Sequence, residues 1–278
     1  MRKVVFGTIH IGRWHCLDRW FSHLEKLRMD FKKMKAYCVL NTKDSEFKTE
    51  FIDRMTKFNW EDLIAEETFF RPIDHYQSKG CNAQKQYNIA ENFKLIYKFA
   101  EKEKRDLFII EDDVLVPPEA FERLQELAYQ SDDILAAAAT IKWWSKIAKH
   151  LIDKKVSWRW EIKRIFPEED IETQAVAVFN EDLTEGTHFV GATPTGCIYI
   201  KHELLKSGYE PKPMIIENGH WGQDIWLGYY INNVLKKKLV VDLDLNCGHV
   251  VNYGKKQVIL WNNGKPERIK TKLTRRRR

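Results

Sequence analysis

Four apolar residues, Leu107-Phe108-Ile109-Ile110, run without interruption into three acids, Glu111-Asp112-Asp113. A strand with one wet face alternates apolar and polar residues, so a short continuous apolar run predicts a strand covered on both faces. Such cover comes from helices on either side of a sheet, which is a layered α/β architecture. In open α/β sheets ligands bind beyond the carboxyl ends of the strands, and the three acids stand at that end.

The pattern on both sides of this run agrees with alternating strands and helices. Lys3 to Ile9 reads as an opening buried strand, followed by an amphipathic stretch from about Trp14 to Leu27 with Leu17, Trp20, Phe21, Leu24 and Leu27 at helical spacing. Met34 to Leu40 predicts a second strand ending in the polar Asn41 to Asp44, and Phe51 to Phe58 a helix. Asn82 to Lys104 is the clearest long helix, with Ile89, Phe93, Ile96, Tyr97 and Ala100 on one face. Later come a helix over Pro118 to Leu127, a strand over Ile134 to Thr140, and an irregular Trp-rich excursion from Lys142. A strand pair over Phe189 to Lys201 is broken at Pro194-Thr195-Gly196; a helix over Asp224 to Leu235 and a last strand over Leu239 to Leu245 follow. No internal repeat is visible. The prediction is a single α/β domain, a Rossmann-like α/β/α sandwich around a mixed, mostly parallel sheet.

With 44% hydrophobic residues, 13 Gly and 8 Pro in 278 positions, disorder and collagen-like structure are excluded. The longest apolar stretch, Ile134 to Ile141, falls well short of the roughly 20 residues of a membrane span, and the first residues lack a signal-peptide core. A cytoplasmic protein is expected. Its five cysteines are scattered with no C-x-x-C pair, so reduced, mostly buried thiols are expected rather than a zinc or redox motif. The net charge of +6 owes much to residues 265–278, a basic tail ending in four arginines. A terminal basic run is usually a solvated tail; peripheral contact with an anionic membrane or nucleic acid is the functional alternative.

Three constellations could carry chemistry. Consecutive acids at a strand end repel one another and are partly desolvated, which favours a divalent cation with hard oxygen ligands, magnesium or manganese. Acids in surface turns are also common, so the triplet alone does not decide. In Gly219-His220-Trp221-Gly222-Gln223-Asp224 an acid opens a helix, where it can cap the helix while an oxygen faces a cleft beside the Trp. A plain helix cap with a structural Trp is the bland alternative. The third is Cys247-Gly248-His249 after a strand; a lone histidine is more often structural than a ligand, but an imidazole can complete a carboxylate-metal site.

Taken in order, the three resemble the GT-A class of nucleotide-sugar-dependent glycosyltransferases, of an inverting, family 2-like or galactosyltransferase-like kind. Ile109-Ile110-Glu111-Asp112-Asp113-Val114 looks like the D-x-D segment, His220-Trp221-Gly222-Gln223-Asp224 like the W-G-x-E-D acceptor motif, and Cys247-Gly248-His249 like the late metal-binding histidine. The resemblance spans about residues 3–250. It implies a GT-A domain over 1–264, with a nucleotide-sugar-binding half (1–115) and an acceptor half (116–264), ahead of the tail.

The resemblance also implies roles. Asp113 and His249 would hold Mn2+ or Mg2+, with Glu111 facing the ribose or the water on the metal. Asp224 would be the general base that deprotonates an acceptor hydroxyl on a glycan or other acceptor, giving inversion, and Trp221 and Gln223 would line the acceptor site. The donor, a UDP- or GDP-sugar, would lie over the first strand end, touching Thr8, Thr42, Asp44, Lys85, Asn88, Glu111, Asp112 and Gly196. Burial against Trp221 would raise the Asp224 pKa from its solution value near about 4.

Two positions depart from the pattern. Gln223 stands where a Glu usually precedes the base; a Gln can hydrogen-bond a sugar hydroxyl but cannot act as a base. Glu111 stands where an Asp is usual. A metal-dependent nucleotidyltransferase or other phosphoryl-transfer enzyme also wants acids at a strand end, but Gly7 to Arg13 is only a faint phosphate loop. A nucleic-acid-binding protein would use Arg275 to Arg278 and the aromatic-basic stretches Trp143 to Lys146 and Trp158 to Trp160.

Overall fold

β1 (Val4–His10) is buried at every position because both of its faces are covered: Val4 and Phe6 enter one hydrophobic core, Val5 and Ile9 another. The computed structural model describes residues 2–68, 82–139, 141, 158–164, 173–179, 185–216, 219–253, 256–262 and 267–269. After β1 come α1 (Trp14–Leu24), β2 (Met34–Leu40), α2 (Ser45–Met55), β3 (Asp62–Glu67), α3 (Asn82–Lys102), β4 (Asp106–Ile110), β5 (Val114–Leu115), α4 (Ala120–Tyr129) and β6 (Ile134–Ala139). The chain continues through β7 (Trp158–Arg164), β8 (Thr173–Phe179), β9 (Thr187–Val190), β10 (Cys197–Ile200), α5 (His202–Leu205), β11 (Met214–Ile216), β12 (Gly219–Trp221) and α6 (Gln223–Tyr229). It closes with β13 (Lys238–Asp242), β14 (Gly248–Tyr253), β15 (Lys256–Trp261) and β16 (Glu267–Arg268).

Among the described residues eight strands form the central sheet in the order β3-β2-β1-β4-β10-β6-β13-β9. Neighbours β3, β2, β1 and β4 are parallel, as are β6 and β13, whereas β10 runs against β4 and β6 and β9 runs against β13. The continuous apolar run of β4 is explained by this position. Phe108 and Ile110 pack with α1, α2 and α4 on one side, Leu107 and Ile109 with α3, α5 and α6 on the other. The result is the expected α/β/α sandwich with a mostly parallel sheet.

Several elements depart from the pattern-based reading. α2 begins six residues earlier than Phe51, because the Asp44 carboxylate accepts the Phe47 N–H at 2.9 Å and caps the helix there. β9 and β10 are both strands but not partners: β9 joins β13, and β10 lies between β4 and β6. β13 is not the last strand. A hairpin, β14 and β15, follows it in a second sheet of order β16-β15-β14-β5. Of the Trp-rich excursion, only the antiparallel pair β7 and β8 falls within the described residues, and the tail from residue 270 onward lies outside them.

Cys16, Cys38, Cys197 and Cys247 are free and buried, as expected of thiols in this pattern, while Cys81 lies outside the described residues. Among the described residues no helix is long and apolar enough to cross a membrane.

The second sheet matters for position. β14 pairs antiparallel with β5, placing Gly248 opposite Leu115 and His249 opposite Val114, so a residue 136 positions downstream of Asp113 is returned to its side. Gly248 is required there by space, since a Cβ would lie 2.7 Å from Ile259 Cγ2 and 2.8 Å from the Trp261 ring. Gly248→Ala should overpack this contact and lower stability by about 1–3 kcal/mol, measured by urea denaturation.

Candidate functional site

The three acids beyond β4 differ in what they touch. Asp112 is buried and turned back toward the first strand: its Oδ2 accepts the Ile11 N–H at 3.1 Å and its Oδ1 lies 2.9 Å from Arg13 Nη1. Asp113 is turned toward the second sheet, where its Oδ2 is hydrogen-bonded by Arg13 Nη1 and lies 3.4 Å from His249 Nε2. The Asp113 carbonyl also accepts the Val250 N–H at 2.8 Å, which fixes the two segments to each other. Glu111 faces a third way. Its Oε1 is 3.4 Å from Thr195 Oγ1, and its backbone N–H donates to the Gly196 carbonyl at 2.9 Å.

Thr195 connects this cluster to the helix-opening motif, because Gln223 Nε2 donates to Thr195 Oγ1 at 2.6 Å. All three segments singled out in the sequence therefore reach one edge of the molecule through Glu111, Thr195 and Gln223 on one side and Asp113 and His249 on the other.

The electrostatics follow from burial and proximity. Burial raises the pKa of Glu111, and the neighbouring Asp113 and Asp112 charges raise it further. Asp112 is also raised, chiefly by burial, with Arg13 opposing. For Asp113 burial pushes upward too, but the Arg13 guanidinium and the His249 ring prevail and hold the carboxyl well below the usual carboxylate range. One acid of the triplet is thus kept as a carboxylate while its neighbours are biased toward protonation.

Asp224 lies in the first turn of α6 rather than at its cap. Gly222 occupies the cap position with extended backbone, and the Asp224 carboxylate folds over it so closely that a Cβ on Gly222 would meet Asp224 Oδ1 at 2.2 Å. Burial raises the Asp224 pKa to about 6, against an opposing pull from amide N–H groups at the helix start.

The remaining sequence expectations divide. Thr8 is fully buried and its hydroxyl donates to the Ile110 carbonyl at 2.7 Å, tying β1 to β4. Gln223 is 2% exposed, and its Nε2 donates to Thr195. Gly196 is a close-packing position, where a Cβ would lie 2.4 Å from Ile141 Cδ1. Asp44 caps α2 and its other oxygen accepts the Trp14 indole N–H at 2.7 Å, with Thr42 Oγ1 accepting the Asp44 N–H at 3.2 Å. Asn88 is buried on α3. The backbones of Lys85 and Trp221 lie in α3 and β12, and their side chains lie outside the described residues.

Sequence reading missed Arg13 and Thr195. Arg13 was visible only as the end of the faint Gly7 to Arg13 loop, yet it meets two of the three acids. Thr195 was visible only as part of a strand break. His10, the last residue of β1, is buried with its ring 4.6 Å from Trp20 and 4.2 Å from Phe51 between centroids, and burial drives its pKa down to about 3.

Thr195→Val removes the one hydroxyl shared by Gln223 and Glu111 and leaves the buried Gln223 amide without that partner. A loss of about 1–2 kcal/mol in folding stability is expected, read from denaturant midpoints.

No family model matches the sequence, and no curated protein matches it. Among solved structures, GalNAc-T7 with UDP, GalNAc and Mn2+ superposes with a TM-score of 0.59 at 12% identity, over 91% of this chain and 45% of that one. The mannosyltransferase PcManGT from Pyrobaculum calidifontis, in complex with GDP-Man and Mn2+, gives a TM-score of 0.49 at 8% identity, over 87% of this chain and 56% of that one. The chain spans about half the length of these solved chains. With its mixed eight-stranded sheet and the GalNAc-T7 superposition over nine-tenths of its length, the chain has a GT-A-like fold.

Proposed function

We propose that the protein is a metal-dependent, inverting glycosyltransferase that moves a sugar from a UDP- or GDP-sugar to an acceptor hydroxyl. One observation carries the reading: Asp113 and His249, 136 positions apart in sequence, present an oxygen and an imidazole nitrogen 3.4 Å from each other at the carboxyl edge of the sheet. Two donors at that spacing can share a small cation with bonds of about 2.1 Å. Among the described residues no set of three His, Cys, Asp or Glu side chains forms a ready metal cage. A two-donor site suits an ion that keeps positions for phosphate oxygens and water. A divalent cation held there would neutralise the charge developing on the departing nucleoside diphosphate.

The chain's own residues do the rest. Asp224, with its pKa lifted to about 6, holds a carboxylate at neutral pH that is basic enough to take the acceptor's hydroxyl proton. Attack from the face opposite the diphosphate then inverts the anomeric centre, and no covalent protein intermediate is needed. Trp14, partly exposed and bonded to Asp44 beyond β1 and β2, supplies a ring at the end where the nucleotide would lie.

The reading is tested by a panel of nucleotide sugars with Mn2+, following release of nucleoside diphosphate. Turnover of at least one donor, abolished by Asp113→Ala, is expected; release from no donor would overturn it. Asp224→Asn should lower kcat by about 10² to 10⁴ with the fold intact.

A pH series adds a second check. The base works only when deprotonated, so kcat should fall as pH drops through about 6. Stability moves the other way. A folded pKa above the unfolded value favours the protonated fold, so stability present below about pH 4 is lost as pH rises through about 6. Asp224→Asn should therefore be the more stable protein at pH 8, by on the order of 1–3 kcal/mol, in thermal unfolding.

A further inference from the structure

We propose that Arg13 serves as a resident cation in the acid cluster, and that its displacement makes metal binding and donor binding depend on each other. The proposal rests on the reading of Asp113 and His249 as metal donors. Arg13 Nη1 bonds Asp113 Oδ2, and that same oxygen lies 3.4 Å from His249 Nε2. The oxygen best placed to share a metal with His249 therefore already carries a positive partner. Two cations on one carboxylate oxygen repel, so an ion entering between Asp113 and His249 must push the guanidinium aside.

The local build allows that movement. Arg13 stands on the short loop between β1 and α1, and its side chain keeps 26% exposure, whereas those of Asp112 and Asp113 keep 6% and 12%. Gly12 before it takes a left-handed φ of +83°, a conformation open to glycine, and packs against Thr42. Asp112 also accepts the Ile11 N–H, so the loop stays anchored when the side chain leaves. A guanidinium moved off Asp113 still has Asp112 beside it, and a diphosphate on the incoming ion offers its planar fork a second anion in place of Asp113.

The cation alone thus meets a competitor, and the cation with a nucleoside diphosphate gives that competitor a new partner. Binding of each is strengthened by the other, and linkage makes the enhancement reciprocal. Arg13 is a positioning residue in this scheme: it sets the order in which the site fills.

The test is titration of Mn2+ into the full chain, with free Mn2+ followed by electron paramagnetic resonance, alone and with saturating UDP or GDP. Wild-type, Arg13→Gln, Arg13→Lys and Asp113→Ala are compared, with circular dichroism to verify folding. Arg13→Gln should bind Mn2+ alone about tenfold more tightly than wild-type, and its enhancement by nucleoside diphosphate should shrink by a similar factor, within the usual range of coupling between sites. Arg13→Lys, which keeps the charge, should bind Mn2+ alone much as wild-type does; a purely structural arginine would make the two variants behave alike.

Binding of Mn2+ to wild-type that is lost in Asp113→Ala but unchanged in Arg13→Gln would overturn the role of Arg13 and leave the metal site standing. No Mn2+ binding by any of the folded proteins, with or without nucleotide, would overturn both.

Discussion

Carboxylates held together at a buried strand end repel one another, and withdrawal from water strengthens the repulsion. The arrangement around β4 can be understood as compensation for that placement. The first loop contributes the Ile11 amide and the Arg13 guanidinium, the second sheet contributes His249, and the turn before β10 contributes the Thr195 hydroxyl. Each partner comes from a different part of the chain, so the acids act as the point to which these segments are tied. The compensation of their charge is what lets the fold keep them there.

The central layers were legible because they follow from periodicity. β1, β2, β4, β6 and the long α3 appear where the apolar spacing placed them, and the all-apolar Leu107 to Ile110 announced a strand covered on both faces. Boundaries set by capping were less visible, as the early start of α2 at Asp44 shows. The sheet order was out of reach: nothing local in Phe189 to Lys201 tells that β9 and β10 belong beside different partners. The second sheet was invisible as well, since its pairing with β5 joins residues more than a hundred positions apart. For the site, the charged residues stood out by type, whereas Arg13 and Thr195 did not, because one sits in an ordinary loop and the other acts through a single hydroxyl.

Several polar groups near the acids sit where burial works against them. Asp224 is held where burial works against its charged form, and Gln223 keeps a buried Oε1 with no hydrogen-bond partner among the described residues although its Nε2 is well satisfied. A polar atom left unpaired in the interior is destabilising and is tolerated mainly where surrounding structure holds it in place. Here that structure is the tight approach of glycines: Gly196 against Ile141 and Val114, and Gly222 under the Asp224 carboxylate. At both glycines the absence of a Cβ is what lets neighbouring side chains close in, and at Gly222 that neighbour is the Asp224 carboxylate itself.

The reversed direction of β10 has an architectural result. A strand inserted antiparallel between β4 and β6 starts at the edge where its neighbours end, so its leading turn, with Thr195 and Gly196, is delivered to the edge that carries the acids. Had β10 run with its neighbours, that turn would have emerged at the opposite rim and Glu111 would have lost both its hydroxyl neighbour and its backbone acceptor. The reversed β10 thus brings its entry turn to the rim where β1, β4 and the acids end.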